Sequence, residues 1–146
     1  MGFNLAILIS GRGSNMLNIV NACNNKTLSS KVKIIISNNK SSSGLARVKK
    51  KGIKTKIIEE NQINKFENKL SKILKEEKVN FICLAGFMKI FTKDFLRNWE
   101  KKVINIHPSI LPAFRGLNAV KKAIEKKVKY TGCTIHYVDK GIDTGE

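Results

Sequence analysis

The sequence contains little cysteine, the residue that cross-links small proteins through disulfides, and little proline. It has three cysteines and two prolines in 146 residues, and Cys23, Cys83 and Cys133 are far apart, with no CxxC pair. Neither a disulfide framework nor a zinc site is indicated. We predict instead a reducing compartment, with Cys83 and Cys133 as core thiols because they lie in apolar, strand-like segments.

Long apolar runs are also missing. The longest ones, such as residues 5–9 and 81–85, have the length of a strand, far below the ~20 residues of a membrane-spanning helix. The first residues lack the charged segment, apolar stretch and small-residue cleavage site of a signal peptide. We therefore predict a cytoplasmic protein without a membrane partner.

Acidic residues are scarce, since 11 Asp and Glu face 28 Lys and Arg, for a net charge of +17. The basic residues are mostly lysines spread through the chain, and no basic–aromatic interleaving of the kind that stacks nucleic-acid bases is present. Hydrophobic residues make up 42%, which indicates a globular domain. We attribute the charge to compositional bias and general anion attraction. RNA contact is the less favoured alternative.

Apolar and amphipathic runs alternate along the chain. They predict a single α/β domain over residues 1–146, Rossmann-like, with a mostly parallel twisted sheet and helices on both faces. In such folds, ligands bind at the carboxyl ends of the strands. We expect the apolar strand at 79–85 to be central. Predicted strands are 5–9, 32–37, 53–58, 79–85, 103–106 and 131–138, and predicted helices are 16–23, 45–48, 63–77, 92–99 and 117–127.

A glycine-rich turn follows the first strand and opens the first helix. Backbone N–H groups in such a turn, together with the helix N-terminus, favour an anion. The turn matches neither a dinucleotide-binding GxGxxG nor a Walker A sequence. We interpret Gly13, Ser14 and Asn15 as a monophosphate site.

The second candidate site lies at the end of the fifth strand. Asn105 and His107 project from the same side by period-2 alternation, and Pro108 forces the chain to leave the sheet. This pairing favours catalysis over a structural histidine. Asp143 taken alone is a turn residue, unless the fold places it beside His107. We interpret His136 as mainly structural.

Four segments in this order resemble the folate-dependent formyltransferases. They are ISGRGSN at residues 9–15, LAGFMKI at 84–90, NIHPSILP at 105–112 and TGCTIHYVD at 131–139 followed by DTG at 143–145. The Ser-Gly-x-Gly-Ser-Asn turn is most similar to that of the glycinamide ribonucleotide (GAR) transformylases, also called phosphoribosylglycinamide formyltransferases. The resemblance runs from about residue 5 to the last residue.

The resemblance implies transfer of a formyl group from 10-formyltetrahydrofolate to the amine of glycinamide ribonucleotide. Asn105, His107 and Asp143 take the family's catalytic roles. Asn105 and protonated His107 donate to the developing oxyanion, and Asp143 keeps His107 cationic. No metal and no covalent enzyme intermediate are implied.

The resemblance also implies binding residues. Gly13, Ser14 and Asn15 would hold the substrate phosphate, while the junction between substrate and folate would be lined by Met88, Lys89, Ile90 and Phe91. Family members commonly have Arg at the place of Lys89, and Lys keeps the charge without the planar fork. Lys65 is the nearest cation to a second family arginine.

Two departures leave alternatives open. Family members continue for several tens of residues past Asp-Thr-Gly, so we expect a C-terminally shortened form of the family's domain, exposing some apolar surface. Arg115-Gly116 is more typical of methionyl-tRNA formyltransferase, which the +17 charge would also suit. Formyltetrahydrofolate deformylase is a third relative. A non-catalytic RNA- or nucleotide-binding module is the alternative from another class.

Overall fold

Six strands form one sheet in the computed structural model, which describes residues 2–146. The strand order is β3-β2-β1-β4-β5-β6, and every neighbouring pair is parallel except β5 and β6. The strands are β1 (Asn4–Ile9), β2 (Lys31–Ser37), β3 (Thr55–Ile57), β4 (Phe81–Leu84), β5 (Val103–His107) and β6 (Thr134–Tyr137).

Five helices connect the strands. They are α1 (Ser14–Asn24), α2 (Ser43–Lys49), α3 (Ile63–Glu76), α4 (Lys93–Asn98) and α5 (Ala119–Glu125). α3 is the most clearly amphipathic, since Phe66, Leu70 and Leu74 are buried while the lysines between them are exposed. α4 begins after Thr92, whose hydroxyl accepts a hydrogen bond from the Phe95 N–H and so caps the helix.

The two faces of the sheet carry separate cores. In β1, Ala6 and Leu8 pack on the side of α3 and α4, whereas Leu5, Ile7 and Ile9 pack on the side of α1 and α2. All five are buried because β1 lies inside the sheet with a helix layer on either face. The predicted α/β class, the mostly parallel sheet and the helices on both faces are confirmed.

Every predicted strand and helix is present, but three of the strands, β3, β4 and β6, are shorter than predicted. The predicted strand at 53–58 pairs only over β3, and the one at 131–138 only over β6, because each lies at an edge with one neighbour. β4 is central, as predicted. Cys83 is buried, but the prediction that Cys133 is a core thiol is wrong, since it is exposed just before β6.

None of the helices in residues 2–146 has both the length and the apolar character needed to cross a membrane.

Candidate active site

The candidate site lies at the carboxyl edge of three adjacent parallel strands. β1 leads into residues 10–15 (the glycine loop), β4 leads into residues 86–92 (the junction segment), and β5 ends at His107. Because parallel strands end at the same edge, these pieces lie along one edge of the sheet although they are far apart in sequence. β1 and β4 are the neighbours at which the strand order reverses, the usual position of a ligand crevice.

The glycine loop lines a cavity of about 320 Å³, closed on its other side by Ala85, Gly86 and Met88. Gly13 has φ 68°, in the left-handed region where a side chain is strained, so the backbone favours glycine at this position. Ser14 and Asn15 begin α1 and are exposed. No acidic residue lies in the first turn of α1, which leaves its N–H groups available to an anion.

Ser10, which the sequence reasoning missed, joins the glycine loop to the junction segment. Its backbone N–H donates to the Gly86 carbonyl at 3.0 Å, and its hydroxyl accepts from the Met88 N–H at 2.9 Å. The same hydroxyl donates to Asn38 Oδ1 at 2.6 Å. The Ser-Gly pair at the end of an apolar strand could have indicated a role for Ser10. The partners of its hydroxyl, however, lie 28 and 78 residues away in the sequence.

The junction segment alternates between the core and the solvent. Phe87 and Phe91 are buried, while Met88 and Ile90 are 67% and 68% exposed. The Lys89 Nζ lies 5.5 Å from the centroid of the Phe66 ring, within the range of a cation–π contact. Of the predicted lining residues, Met88 and Ile90 therefore present side chains at the surface, whereas the Phe91 ring packs inward.

Lys65 stands apart from this group. It is exposed on α3, and no hydrogen bond or ion pair joins it to another residue between 2 and 146. The structure does not bring Lys65 to the cavity or to β5.

His107 and Asp143 share one buried site. His107 Nδ1 lies 3.1 Å from Asp143 Oδ2, and His107 Nε2 lies 2.9 Å from the carbonyl oxygen of Phe114. His107 is 5% exposed. Both ring nitrogens face an oxygen acceptor, and only a doubly protonated imidazolium can donate to both.

Asp143 is held in place by the backbone around it. It adopts φ 53°, which Asp tolerates better than most residues, and its Oδ2 also accepts from the Gly116 N–H at 2.8 Å. The preceding turn is closed by Asp139, which accepts from the Thr144 hydroxyl at 2.7 Å and from the Gly141 N–H at 3.0 Å. The Thr144 hydrogen bond is the main reason that the pKa of Asp139 is lowered.

His136 is the fourth member of the site. The antiparallel register of β5 and β6 places it opposite Asn105, and the Asn105 Nδ2 lies 3.3 Å from His136 Nε2. His136 Nε2 also lies 3.4 Å from Asp143 Oδ1, and His136 Nδ1 lies 2.9 Å from the Tyr137 carbonyl oxygen. Asn105, His107, His136 and Asp143 therefore form one connected group (the histidine cluster).

The prediction that His136 is mainly structural rested on its strand position alone. A useful signal was present, since Asn105 and His136 are polar residues of two strands that could pair. The register that makes them neighbours, however, is set by the fold.

The loop from residue 108 to 116 covers the histidine cluster. The Thr134 hydroxyl donates to the Ser109 carbonyl at 2.8 Å and accepts from the Leu111 N–H at 3.0 Å, which ties the loop to the start of β6. The Leu111–Pro112 peptide bond is cis, and Phe114 has φ 54°. In this loop the Phe114 carbonyl points toward His107.

Chemically, the cluster combines an amide, two imidazoles and one carboxylate at the same sheet edge as the glycine loop. Within residues 2–146, no His, Cys, Asp or Glu side chains gather into a set of three that could hold a metal ion. The arrangement supplies hydrogen-bond donors, from Asn105 and His107, beside a carboxylate. It therefore suits a reaction in which negative charge develops on an oxygen.

The chain is similar in sequence to known formyltransferases. The Formyl transferase family model matches residues 3–146. The trifunctional purine biosynthetic protein adenosine-3 of Gallus gallus is 39% identical over 144 residues, covering 97% of this chain and 14% of that protein. The phosphoribosylglycinamide formyltransferase of Haemophilus influenzae is 37% identical over 144 residues, covering 97% of this chain and 68% of that enzyme.

Solved structures agree with this match. The glycinamide ribonucleotide transformylase 1 of Symbiobacterium toebii superposes with a TM-score of 0.94 at 33% identity, over 99% of this chain and 69% of that one. The phosphoribosylglycinamide formyltransferase of Anaplasma phagocytophilum gives 0.91 at 39% identity, with coverages of 99% and 69%. The chain thus spans a small part of its trifunctional relatives and about two thirds of the single enzymes. It belongs to the formyl transferase family.

Proposed function

We propose that this chain carries out formyl transfer from 10-formyltetrahydrofolate to the primary amine of glycinamide ribonucleotide, a step of purine biosynthesis. The observation that supports it best is the joining of Asn105, His107 and Asp143 into one part-buried group at the same sheet edge as the glycine loop. Membership of the formyl transferase family implies a folate-type co-substrate. The similar enzymes named for glycinamide ribonucleotide favour that acceptor.

The reaction begins when the amine nitrogen attacks the formyl carbon of the folate. A C–N bond forms, the carbonyl π electrons move to the oxygen, and the resulting oxyanion needs hydrogen-bond donors. Asn105 Nδ2 carries two hydrogens. When neutral His136 accepts one of them, the amide orientation is fixed and the second hydrogen is free for the oxyanion.

His107 supplies the second donor. Its Nδ1–H is held by Asp143, which leaves the Nε2–H for the reacting oxygen. In this structure Nε2 donates to the Phe114 carbonyl instead. The oxyanion therefore takes the place of that carbonyl, and residues 108–116 shift when both substrates are bound.

Collapse of the tetrahedral intermediate breaks the bond between the formyl carbon and N10 of the folate. The attacking amine loses one proton and N10 gains one, so the net proton count is unchanged. His107 or a water molecule carries this proton. The carboxylate of Asp143 stabilises the imidazolium while it does so.

In this proposal the glycine loop and the junction segment bind different parts of the substrates. Gly13, Ser14 and Asn15 hold the phosphate through backbone and side-chain donors at the start of α1. Met88, Lys89, Ile90 and Phe91 separate the nucleotide from the folate, with Lys89 in place of an arginine. Lys65 lies on the exposed side of α3, and the geometry does not support a contact between Lys65 and either ligand. The proposed setting is the cytoplasm.

Calorimetry tests this proposal directly. Glycinamide ribonucleotide and a 10-formyltetrahydrofolate analogue are titrated separately into the protein, followed by a formyl-transfer assay. Binding of both ligands supports the proposal. Binding of the folate analogue alone would instead favour a methionyl-tRNA formyltransferase or a deformylase, and binding of neither would overturn it.

A further inference from the structure

Glu67 is a buried acid that the proposed chemistry does not use. It lies on α3 beside Phe66 and is 7% exposed. Its Oε1 accepts from the Thr92 N–H at 2.6 Å, and its Oε2 accepts from the Thr92 hydroxyl at 2.7 Å. Both carboxylate oxygens thus accept hydrogen bonds from Thr92, the last residue of the junction segment.

Stability alone does not explain a carboxylate at this position. No Lys, Arg or His within residues 2–146 forms an ion pair with Glu67, so its charge is compensated by hydrogen bonds only. Burying a charge is unfavourable, and a well-packed apolar residue of similar size commonly serves a core as well or better. What the carboxylate does provide is a fixed position for the Thr92 backbone and side chain.

Thr92 is the far end of a segment without regular structure. Its near end is held by Ser10, through hydrogen bonds with Gly86 and Met88. Between these ends, the backbone N–H and C=O groups of residues 89–91 make no hydrogen bonds with other residues of the described chain. The segment therefore keeps its shape through its two anchored ends and through the burial of Phe87 and Phe91.

We propose that Glu67 is a positioning residue. By fixing Thr92 it holds residues 88–91 as a rigid wall whose free backbone groups face the folate. The folate part of this inference rests on the proposed function, whereas the anchoring of the segment does not. Glu67 touches no substrate and acts only through Thr92 and the segment before it.

Four variants separate positioning from general stability. Glu67→Ala removes both acceptors, whereas Glu67→Gln keeps an acceptor for the Thr92 N–H in a side chain of nearly the same shape. Glu76→Ala is the matched control, because it removes an acid from an exposed position of the same helix. Thr92→Val keeps the Thr92 N–H contact with Glu67 but removes the hydroxyl contact, together with the cap on the Phe95 N–H. It serves as the second probe if Glu67→Ala does not fold.

The first readout needs no ligand. Amide hydrogen exchange in peptides covering residues 86–92 should be about tenfold faster, or more, in Glu67→Ala than in the unaltered protein, because a hydrogen bond to a charged acceptor is lost. Thr92→Val should be intermediate. Glu67→Gln and Glu76→Ala should stay within about threefold of the unaltered protein. Equal exchange in all proteins would overturn the inference, whatever the ligand does.

The second readout is calorimetric binding of the folate analogue and of glycinamide ribonucleotide. We expect folate affinity to fall about tenfold in Glu67→Ala, with Glu67→Gln restoring most of it and nucleotide affinity changing by less than about twofold. Faster exchange with unchanged folate affinity, or equal losses for both ligands, would overturn the positioning role. If the unaltered protein binds no folate analogue but exchange still responds, the anchoring by Glu67 stands and the proposed function fails.

Discussion

Asp143→Asn is the substitution that tests the proposed chemistry most sharply. Asn matches Asp in shape and tolerates the φ of 53° at this position, so the backbone has no reason to rearrange. One side-chain oxygen remains to accept from the Gly116 N–H and from the His107 Nδ1–H, because both groups face the same Oδ2 of Asp143. The amide nitrogen, however, cannot accept, and the charge that faces His107 at 3.1 Å and His136 at 3.4 Å is gone.

The size of the effect follows from these contacts. A hydrogen bond to a charged group contributes about 1.5–3 kcal/mol, and in Asp143→Asn the negative charge on the acceptor of the His107 Nδ1–H is lost. Without it, His107 serves the oxyanion poorly, and the loss of one oxyanion donor lowers kcat by about 10²–10³-fold. We therefore predict a fall in kcat of that size for Asp143→Asn. KM for glycinamide ribonucleotide should change by less than about threefold, because the glycine loop is a separate piece of the chain.

Steady-state formyl transfer, followed by the absorbance change of the folate, measures both constants. Asp94→Asn is the matched control, since Asp94 is exposed on α4 and pairs only with Arg97. The two histidines, both beside Asp143, give a readout that does not depend on turnover, because their ring-proton NMR signals should shift in Asp143→Asn alone. A kcat within about threefold of the unaltered protein, in a variant with a normal unfolding midpoint, would refute the assigned role of Asp143.

Three further outcomes are expected. Asn15→Ala should weaken glycinamide ribonucleotide about tenfold while leaving folate affinity nearly unchanged by calorimetry; equal losses would contradict the phosphate role. A maleimide at pH 8, with peptide mapping by mass spectrometry, should modify exposed Cys133 first, and Cys23 more slowly because partial burial raises its pKa. It should modify Cys83 only on unfolding, since burial raises its pKa to about 11 and the reactive thiolate is scarce below that pH. Leu70→Ala should lower the free energy of unfolding in urea by about 2–5 kcal/mol, and a loss below about 1 kcal/mol would count against the α3 packing.

The chain's own pattern was sufficient for the architecture. Continuous apolar runs such as β1 and β4 are typical of strands buried on both faces, and the apolar residues of α3 at helical spacing indicate a helix. These signals are local, because a strand or a helix buries its own residues with a period fixed by backbone geometry. The ends of β3 and β6 were harder to predict, since pairing at a sheet edge depends on the neighbour and not on the strand's own composition.

Parts of the candidate site were also local. Pro108 marks the end of β5 and so places Asn105 and His107 at the carboxyl edge, and Gly13 marks the turn into α1. The exposure of Cys133 and the isolation of Lys65 were not predictable in this way. Each depends on which other element covers the residue, and nothing in the neighbouring sequence specifies that.

By itself, then, the sequence determined the α/β class, the order of strands and helices along the chain, and the position of His107 at a strand end. Only the tertiary structure decided that Asp143 lies against His107, that His136 lies opposite Asn105, and that Glu67 holds Thr92. The physical reason is the distance along the chain over which each kind of interaction acts. Backbone conformation and burial period are set by a few neighbouring residues, whereas these contacts join residues 25 or more positions apart, and they exist only once the sheet has fixed its register.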